Sequence, residues 1–287
     1  MNTTIGNWMR QHEDLDRLDR ELILAKTLSL TRAQIIARPE HSLDENALRW
    51  LASRVKCLRN DEPLAYLTGV KEFWGLTFQV TPDVLIPRPE TELLVELAIN
   101  LVTAGALDKK LRILDLGTGS GAIAVALADY LTRAGRAAAV YGSDRSKAAL
   151  CVARGNAANH RVFVHWLESD WFQDIPTQFD LIVCNPPYVA TNDLHLAALR
   201  HEPSEALCAG GDGLDALRII VPGAHAHLLP GAWLLVEHGY NQEAAVQSLF
   251  AEHGYEHVRT ERDLGGQPRV TLGRVPSAPG SVGTQAT

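Results

Sequence analysis

The chain has 287 residues, 46% of them hydrophobic and 21% charged, so it can bury a core for one large domain or two ordinary ones and is neither disordered nor a mini-protein. Lys and Arg number 27 against 34 Asp and Glu, a formal charge of -7, with the acidic excess lying almost wholly beyond Val84. That balance gives no support to a duplex-binding surface and moves the expectation towards substrates without phosphates, although a local basic patch remains compatible with it.

The first twenty residues lack a basic segment followed by an apolar one, and no apolar run reaches the ~20 residues needed to cross a bilayer, so a soluble cytoplasmic protein without membrane contact is expected. The four cysteines (Cys57, Cys151, Cys184, Cys208) form no CxxC pair and read as reduced thiols. His225 and His227 stand two apart in a helical pattern, which points them to different faces, and no HExxH occurs, so no metal is expected.

From Ile5 to Arg59 apolar residues recur at three- and four-residue steps, including Leu15, Leu18, Leu22, Ile35, Ile36, Ala47, Leu51 and Val55, which predicts a bundle of short helices over residues 1–71. Pro39 and the SLDE stretch at Ser42–Glu45 predict a break and a capping-box start. Over residues 72–90, alternation around Pro82 predicts a strand pair, a β-hairpin, followed by an extended connector stiffened by Pro87 and Pro89. From Thr91 strands and helices alternate: seven candidate strands (LRILDL, AAVYGS, VFVHWL, FDLIVC, AWLLVE, YEHVRT, PRVTLG) predict an α/β domain over 91–275 with a mostly parallel sheet. The last two strands are close enough to pair antiparallel. Residues 276–287, uncharged and poor in hydrophobics, read as a disordered tail.

The first chemical signal is Asp115-Leu-Gly117-Thr118-Gly119-Ser120-Gly121, between an apolar strand and a helix, where glycines let the backbone approach a ligand. Gly117, Gly119 and Ala122 also fit the relaxed dinucleotide fingerprint, but Asp115 beside the loop disfavours a pyrophosphate and suits an ammonium or sulfonium group, as in S-adenosyl-L-methionine. Asp144 closes the next strand, 27 positions after Gly117, and suits either a ribose diol or a helix N-cap. Asp170 and Trp171 suit an adenine, the indole by stacking and the carboxylate by accepting from its amino group, or Trp171 is a core residue under a loop. The sharpest feature is Asn185-Pro186-Pro187-Tyr188 after FDLIVC. Proline forbids continuing helix or central strand, so the Asn185 side-chain oxygen and the Pro186 carbonyl can accept both hydrogens of a planar NH₂ group while Tyr188 packs against the substrate. The bland alternative is plain loop punctuation.

DLGTGSG, the SD at Ser143–Asp144 and FDLIVCNPPY resemble the adenosylmethionine-dependent methyltransferases that modify planar nitrogens. EPLAYLTGVKEFWGL, LIPRPETE, HEPSEAL and LLVEHGYNQ narrow the resemblance, over about Asp61 to Gly273, to the bacterial methyltransferases of a glutamine amide in peptide chain release factors, the HemK/PrmC family. The resemblance implies a Rossmann-like methyltransferase domain, S-adenosyl-L-methionine as cofactor, and methyl transfer to N5 of the glutamine in the release factor's Gly-Gly-Gln loop, with the N-terminal helices docking that partner and no direct nucleic-acid substrate. It implies that Gly117, Thr118, Gly119, Ser120 and Gly121 line the methionine and ribose side of the cofactor, Asp144 binds the ribose and Trp171 borders the adenine. Asn185, Pro186, Pro187 and Tyr188 would hold the glutamine amide, with Asn185 also near the cofactor's methyl and Asn185, Pro186 and Tyr188 carrying catalysis. Arg88 and Glu90 are either near the cofactor pocket or an ion pair, and Glu202 has no assigned role. Two other readings stay open: methylation of an exocyclic amino group of a nucleobase, and a non-catalytic module that binds a translation factor.

Overall fold

In a computed structural model, the structure describes residues 3–103 and 111–277, and contacts divide it into two compact units between Val70 and Lys71. The tail read at 276–287 lies, beyond Ser277, outside the described residues.

The first unit consists of five helices, α1 (Ile5–Gln11), α2 (Arg17–Leu28), α3 (Arg32–Ala37), α4 (Glu45–Arg59) and α5 (Leu64–Thr68). Ile5, Trp8, Ile23, Leu24, Ile35, Leu51 and Val55 form its core. Two sequence expectations fail here. The capping box is at Thr31–Gln34, whereas α4 is capped by Asp44, whose carboxylate accepts from the Ala47 N–H, and Ser42 is instead bridged to Thr4. On α2, Leu18 is exposed and the buried face includes Arg20 and Glu21, because Arg20 donates to the Met9 carbonyl at 2.5 Å and Glu21 pairs with both Arg17 and Arg32. Polar partners thus rotated the buried face away from the leucine stripe.

The hairpin comprises β1 (Val70–Phe73) and β2 (Leu76–Gln79) and ends before Pro82. Its turn is Trp74-Gly75, both at positive φ, the geometry that two-residue hairpins need. Residues 80–88 run as irregular chain to a short 3₁₀ turn (Pro89–Thr91) that opens α6 (Glu92–Thr103).

The remaining elements are β3 (Leu111–Leu116), α7 (Ala122–Arg133), β4 (Ala138–Asp144), α8 (Lys147–His160), β5 (His165–Glu168), β6 (Phe179–Cys184), α9 (Asp215–His227), β7 (Leu228–Glu237), α10 (Glu243–Glu252), β8 (Glu256–Arg262) and β9 (Pro268–Arg274). The seven strands form one sheet in the order β5-β4-β3-β6-β7-β9-β8, in which only β9 runs against the others. Period-two alternation distributes side chains to the two faces. Leu111, Ile113, Leu181, Val183 and Leu235 pack with α6 and α7, whereas Leu114, Leu116, Ile182, Leu234 and Val236 pack with α9 and α10. From β3 the chain winds outward to β4 and β5, and from β6 it winds the other way. The crevice at the carboxyl ends of β3 and β6 is therefore a topological switch point, where open α/β sheets bind ligands.

Candidate active site

A cavity of about 890 Å³ opens at that crevice, within the range of small-molecule sites. Gly117, Thr118, Gly119, Ser120, Asp144, Trp171, Asn185, Pro186 and Pro187 all line it; Gly121 and Tyr188 do not. The sheet brings the loops after β3, β4, β5 and β6 together because all four strands are parallel and end at the same edge.

The loop after β3 carries Gly117, Gly119 and Gly121 at φ +74°, +53° and +81°, a left-handed run that residues with a Cβ resist. At Gly121 a Cβ would also stand 3.0 Å from that of Ala153, so this glycine serves the packing of α7 on α8 and not the cavity wall. Asp115 occupies an odd position of β3, and so turns under α7 and not into the cavity. It is fully buried; one oxygen accepts from the Thr118 hydroxyl (2.5 Å) and the Ala124 N–H (3.1 Å), while Oδ1 has no partner. Burial pushes its carboxyl up to about 7, against the pull of the Thr118 hydroxyl and the Ala124 N–H. The reading of Asp115 as a direct partner of a cationic ligand is thereby corrected: it braces the loop from beneath.

Asp144 is not the helix N-cap weighed for it. One oxygen accepts from the Gly119 N–H (2.9 Å) and the other from the Ser146 N–H (2.9 Å), while the N-cap of α8 is Ser146 itself. The carboxylate thus ties the glycine loop to the start of α8 and still faces the cavity, each oxygen keeping lone-pair capacity. Trp171 has φ +49°, and its ring edge lies 3.7 Å from where a Cβ on Gly117 would stand, so the indole flanks the glycine loop. Such a backbone conformation is costly for a bulky residue and is held here by Ser169, whose hydroxyl donates to the Trp171 carbonyl at 2.9 Å and accepts from the Asp174 N–H at 3.0 Å.

On the opposite wall, Asn185 donates from Nδ2 to the Thr91 hydroxyl at 3.0 Å. Tyr188 turns its hydroxyl to Glu237 Oε1 at 3.1 Å, behind the wall. Glu237 is fully buried and its Oε2 lacks a partner. Burial raises its carboxyl to about 7, opposed by the Thr91 and Tyr188 hydroxyls and by Arg269. Gln242 Nε2 donates to the Tyr188 carbonyl at 3.1 Å, which anchors the end of the tetrapeptide.

Three residues here escaped the sequence reading: Thr91, Glu237 and, in part, Glu202. Glu202 forms an ion pair with Arg88 and accepts from the Ile86 N–H at 3.1 Å, pinning the proline-rich connector to the HEPSEAL loop. Arg88 is therefore both a cavity residue and an ion-pair partner, whereas Glu90 is exposed and outside the wall. A glutamate inside the apolar run LLVEH was the available signal for Glu237, since a carboxylate there must face a partner or a site. Among the described residues no cluster of His, Cys, Asp or Glu has the arrangement of a metal site, and no helix is long and apolar enough to cross a membrane.

Residues 91–212 match the family model "Methyltransferase small domain" and residues 9–69 match "PrmC N-terminal domain". The release factor glutamine methyltransferase of Coxiella burnetii is 44% identical over 263 residues, covering 90% of this chain and 91% of that one. That of Burkholderia pseudomallei is 46% identical over 273 residues, covering 91% and 93%. The chain belongs to the release factor glutamine methyltransferase family. As a member of that family it is a methyltransferase, with Gly117–Ser120 and Asn185–Pro187 facing one cavity. Among solved structures, the 16S rRNA N2 G1207 methyltransferase of Thermus thermophilus, in complex with AdoMet and guanosine, aligns with TM-score 0.53 and 21% identity over 72% of this chain and 49% of that one. A methyltransferase of Pyrococcus furiosus aligns with TM-score 0.52 and 16% identity over 78% and 99%. At such identities the likeness concerns the fold.

Proposed function

We propose that the enzyme transfers a methyl group from S-adenosyl-L-methionine to the side-chain amide nitrogen of the glutamine in the Gly-Gly-Gln loop of peptide chain release factors. The relatives' names give the substrate class, and the observation that carries the chemistry is the Asn185 amide on the cavity wall with Nδ2 engaged by Thr91, which leaves Oδ1 as the acceptor for an incoming NH₂ group.

The residues present suit adenosylmethionine. The wall's two arginines, Arg88 and Arg145, are paired with Glu202 and Glu205, so its remaining carboxylates, Asp144 and Asp170 among them, favour a ligand with positive charge over a pyrophosphate. The loop Gly117–Ser120 would hold the methionine and ribose portions, Asp144 would accept from ribose hydroxyls and Trp171 would border the adenine. When bound, the cofactor supplies an electrophilic methyl on a sulfonium leaving group. The chain's own contribution is orientation: Asn185 Oδ1 and the Pro186 carbonyl accept the two amide hydrogens and fix the nitrogen's direction, with Pro187 and Tyr188 holding the turn. No strong base is required. The helical unit is read as the docking element for the release factor, supported by its match to the PrmC N-terminal domain.

The test is transfer of labelled methyl to purified release factor, beside a factor whose Gly-Gly-Gln glutamine is alanine and with single-stranded DNA and RNA as competing acceptors. Label on the unsubstituted factor alone is the expected result. Label on nucleic acid would replace this reading with nucleobase methylation.

A further inference from the structure

The chain leaves NPPY at Tyr188 on an excursion that returns beside its own start at Gly210. Three backbone hydrogen bonds form the neck: the Val189 N–H donates to the Leu207 carbonyl (2.9 Å), the Ala209 N–H to the Val189 carbonyl (3.0 Å) and the Thr191 N–H to the Gly210 carbonyl (2.9 Å). The returning half supplies Pro203–Ala206 and Cys208–Gly210 to the cavity wall, so the excursion is part of the site. One side chain from outside it spans both ends. Gln242, the N-cap residue of α10, is buried; its Nε2 donates to the Tyr188 carbonyl at 3.1 Å and to the Asp212 carbonyl at 3.2 Å, while its Oε1 accepts from the Gly239 N–H at 2.8 Å.

Backbone carbonyls only accept and a backbone N–H only donates, so the Gln242 amide has a single orientation. The three bonds together require a group with two protons and an acceptor. A glutamate there carries at most one proton and serves at most one of the two carbonyls. Gly213 completes the fit from the opposite side. Its φ is +76°, and a Cβ on it would stand 2.2 Å from the Tyr188 oxygen and 2.8 Å from Gln242 Nε2, so a side chain at this position would push the returning backbone off Tyr188.

We infer that Gln242 is a positioning residue for methyl transfer: one amide ties the departing and returning ends of the 189–211 excursion together at the Tyr188 carbonyl and so fixes the acceptor wall formed by Asn185–Pro187. This rests on the proposed role of NPPY in holding the glutamine amide. Gln242 itself is not on the cavity wall and acts through Tyr188 and Asp212. Its side-chain bonds reach none of Gly117–Ser120, so cofactor affinity should be independent of it.

The test uses the full chain and three proteins: the parent, Gln242→Met and Gln242→Glu. Methionine keeps the length and loses all three bonds; glutamate keeps an acceptor and loses at least one donor. The first readout needs no substrate: hydrogen exchange by NMR of the Val189, Thr191 and Ala209 backbone amides. Acceleration of about tenfold or more in both variants, with the amides of β3 within about threefold of the parent, is expected for a neck that opens locally. The second is single-turnover methyl transfer to the release factor, per folded molecule. A rate lowered by about tenfold or more in both variants, with adenosylmethionine Kd within about threefold of the parent, is expected. A residue that served stability alone would lower the folded fraction and leave that rate unchanged. Unchanged exchange at the neck, equal acceleration in β3, or transfer at the parent's rate in either variant would overturn the inference. If the parent transfers no methyl to the release factor, the substrate reading fails, and exchange at the neck alone decides the clamp.

Discussion

The glycine loop after β3 is braced by residues close to it in sequence: Asp115 reaches Thr118 and Ala124, and Asp144 reaches Gly119 twenty-five positions back. The tetrapeptide after β6 is held from afar, with Asn185 bonded to Thr91 and Tyr188 to Glu237, separations of 94 and 49 residues. A wall built from one strand-turn-helix unit can be specified by a contiguous motif. A wall that must aim a single amide depends on groups delivered by other strands and helices, and on the fold being closed before it works. The two walls should therefore respond differently to substitution: changes on the first alter cofactor affinity, and changes on the second alter turnover.

The largest effect on the first wall should come from Asp144→Ala, which removes the acceptor of the Gly119 and Ser146 N–H groups together with the proposed ribose contact. Hydrogen bonds to a charged group contribute ~1.5–3 kcal/mol each, so adenosylmethionine Kd should rise by about a hundredfold in calorimetry; a change below about fivefold would remove Asp144 from the binding site.

Asp115→Asn separates bracing from binding. Its carboxyl is raised to about 7 in the folded state, against ~3.9 for a free side chain. The folded protein thus holds a proton that the unfolded chain has lost, and the stability linked to this group is present below about pH 4 and lost as pH rises through about 7. Glu237 acts with the same sign. Thermal melting should show the parent losing stability between pH 5 and 8, at most ~1.4 kcal/mol per pH unit for each such group, with a shallower slope in Asp115→Asn and cofactor Kd within a few-fold of the parent. A slope identical in both proteins would place the titration elsewhere.

Trp171→Ala should have a smaller effect, weakening adenosylmethionine by about tenfold, since an aromatic stack contributes ~1 kcal/mol beyond its area. Its kcat at saturating cofactor should stay within about threefold of the parent. A pure kcat loss would move Trp171 to the other wall's task.

Much of this was legible in the residues. The seven strands, their mostly parallel order, the glycine loop and NPPY each depend on local pattern, and strand parity set which side chains face which helices. What escaped reading depended on contacts across the fold. Asp115 looked like a ligand partner because proximity in sequence does not say that an odd position of β3 turns under α7. Thr91 meets Asn185, and Glu237 meets Tyr188, only through the sheet order β3-β6-β7 and the placement of α6. The hairpin turns at Trp74-Gly75, through their positive φ values, and not around Pro82, because a residue's φ is not written in the alternation of its neighbours. In the helical unit, Leu18 and Leu22 of α2 suggested a face that the buried Arg20 and Glu21 displaced.

The division of labour between the walls is tested most directly by Asn185→Ala, measured for single-turnover methyl transfer to the release factor and for adenosylmethionine Kd by calorimetry. Transfer slowed by about a hundredfold or more, with Kd within about threefold of the parent, is the expected result for a residue that orients the acceptor amide. Transfer at the parent's rate, or a loss accounted for wholly by weaker cofactor binding, would contradict it.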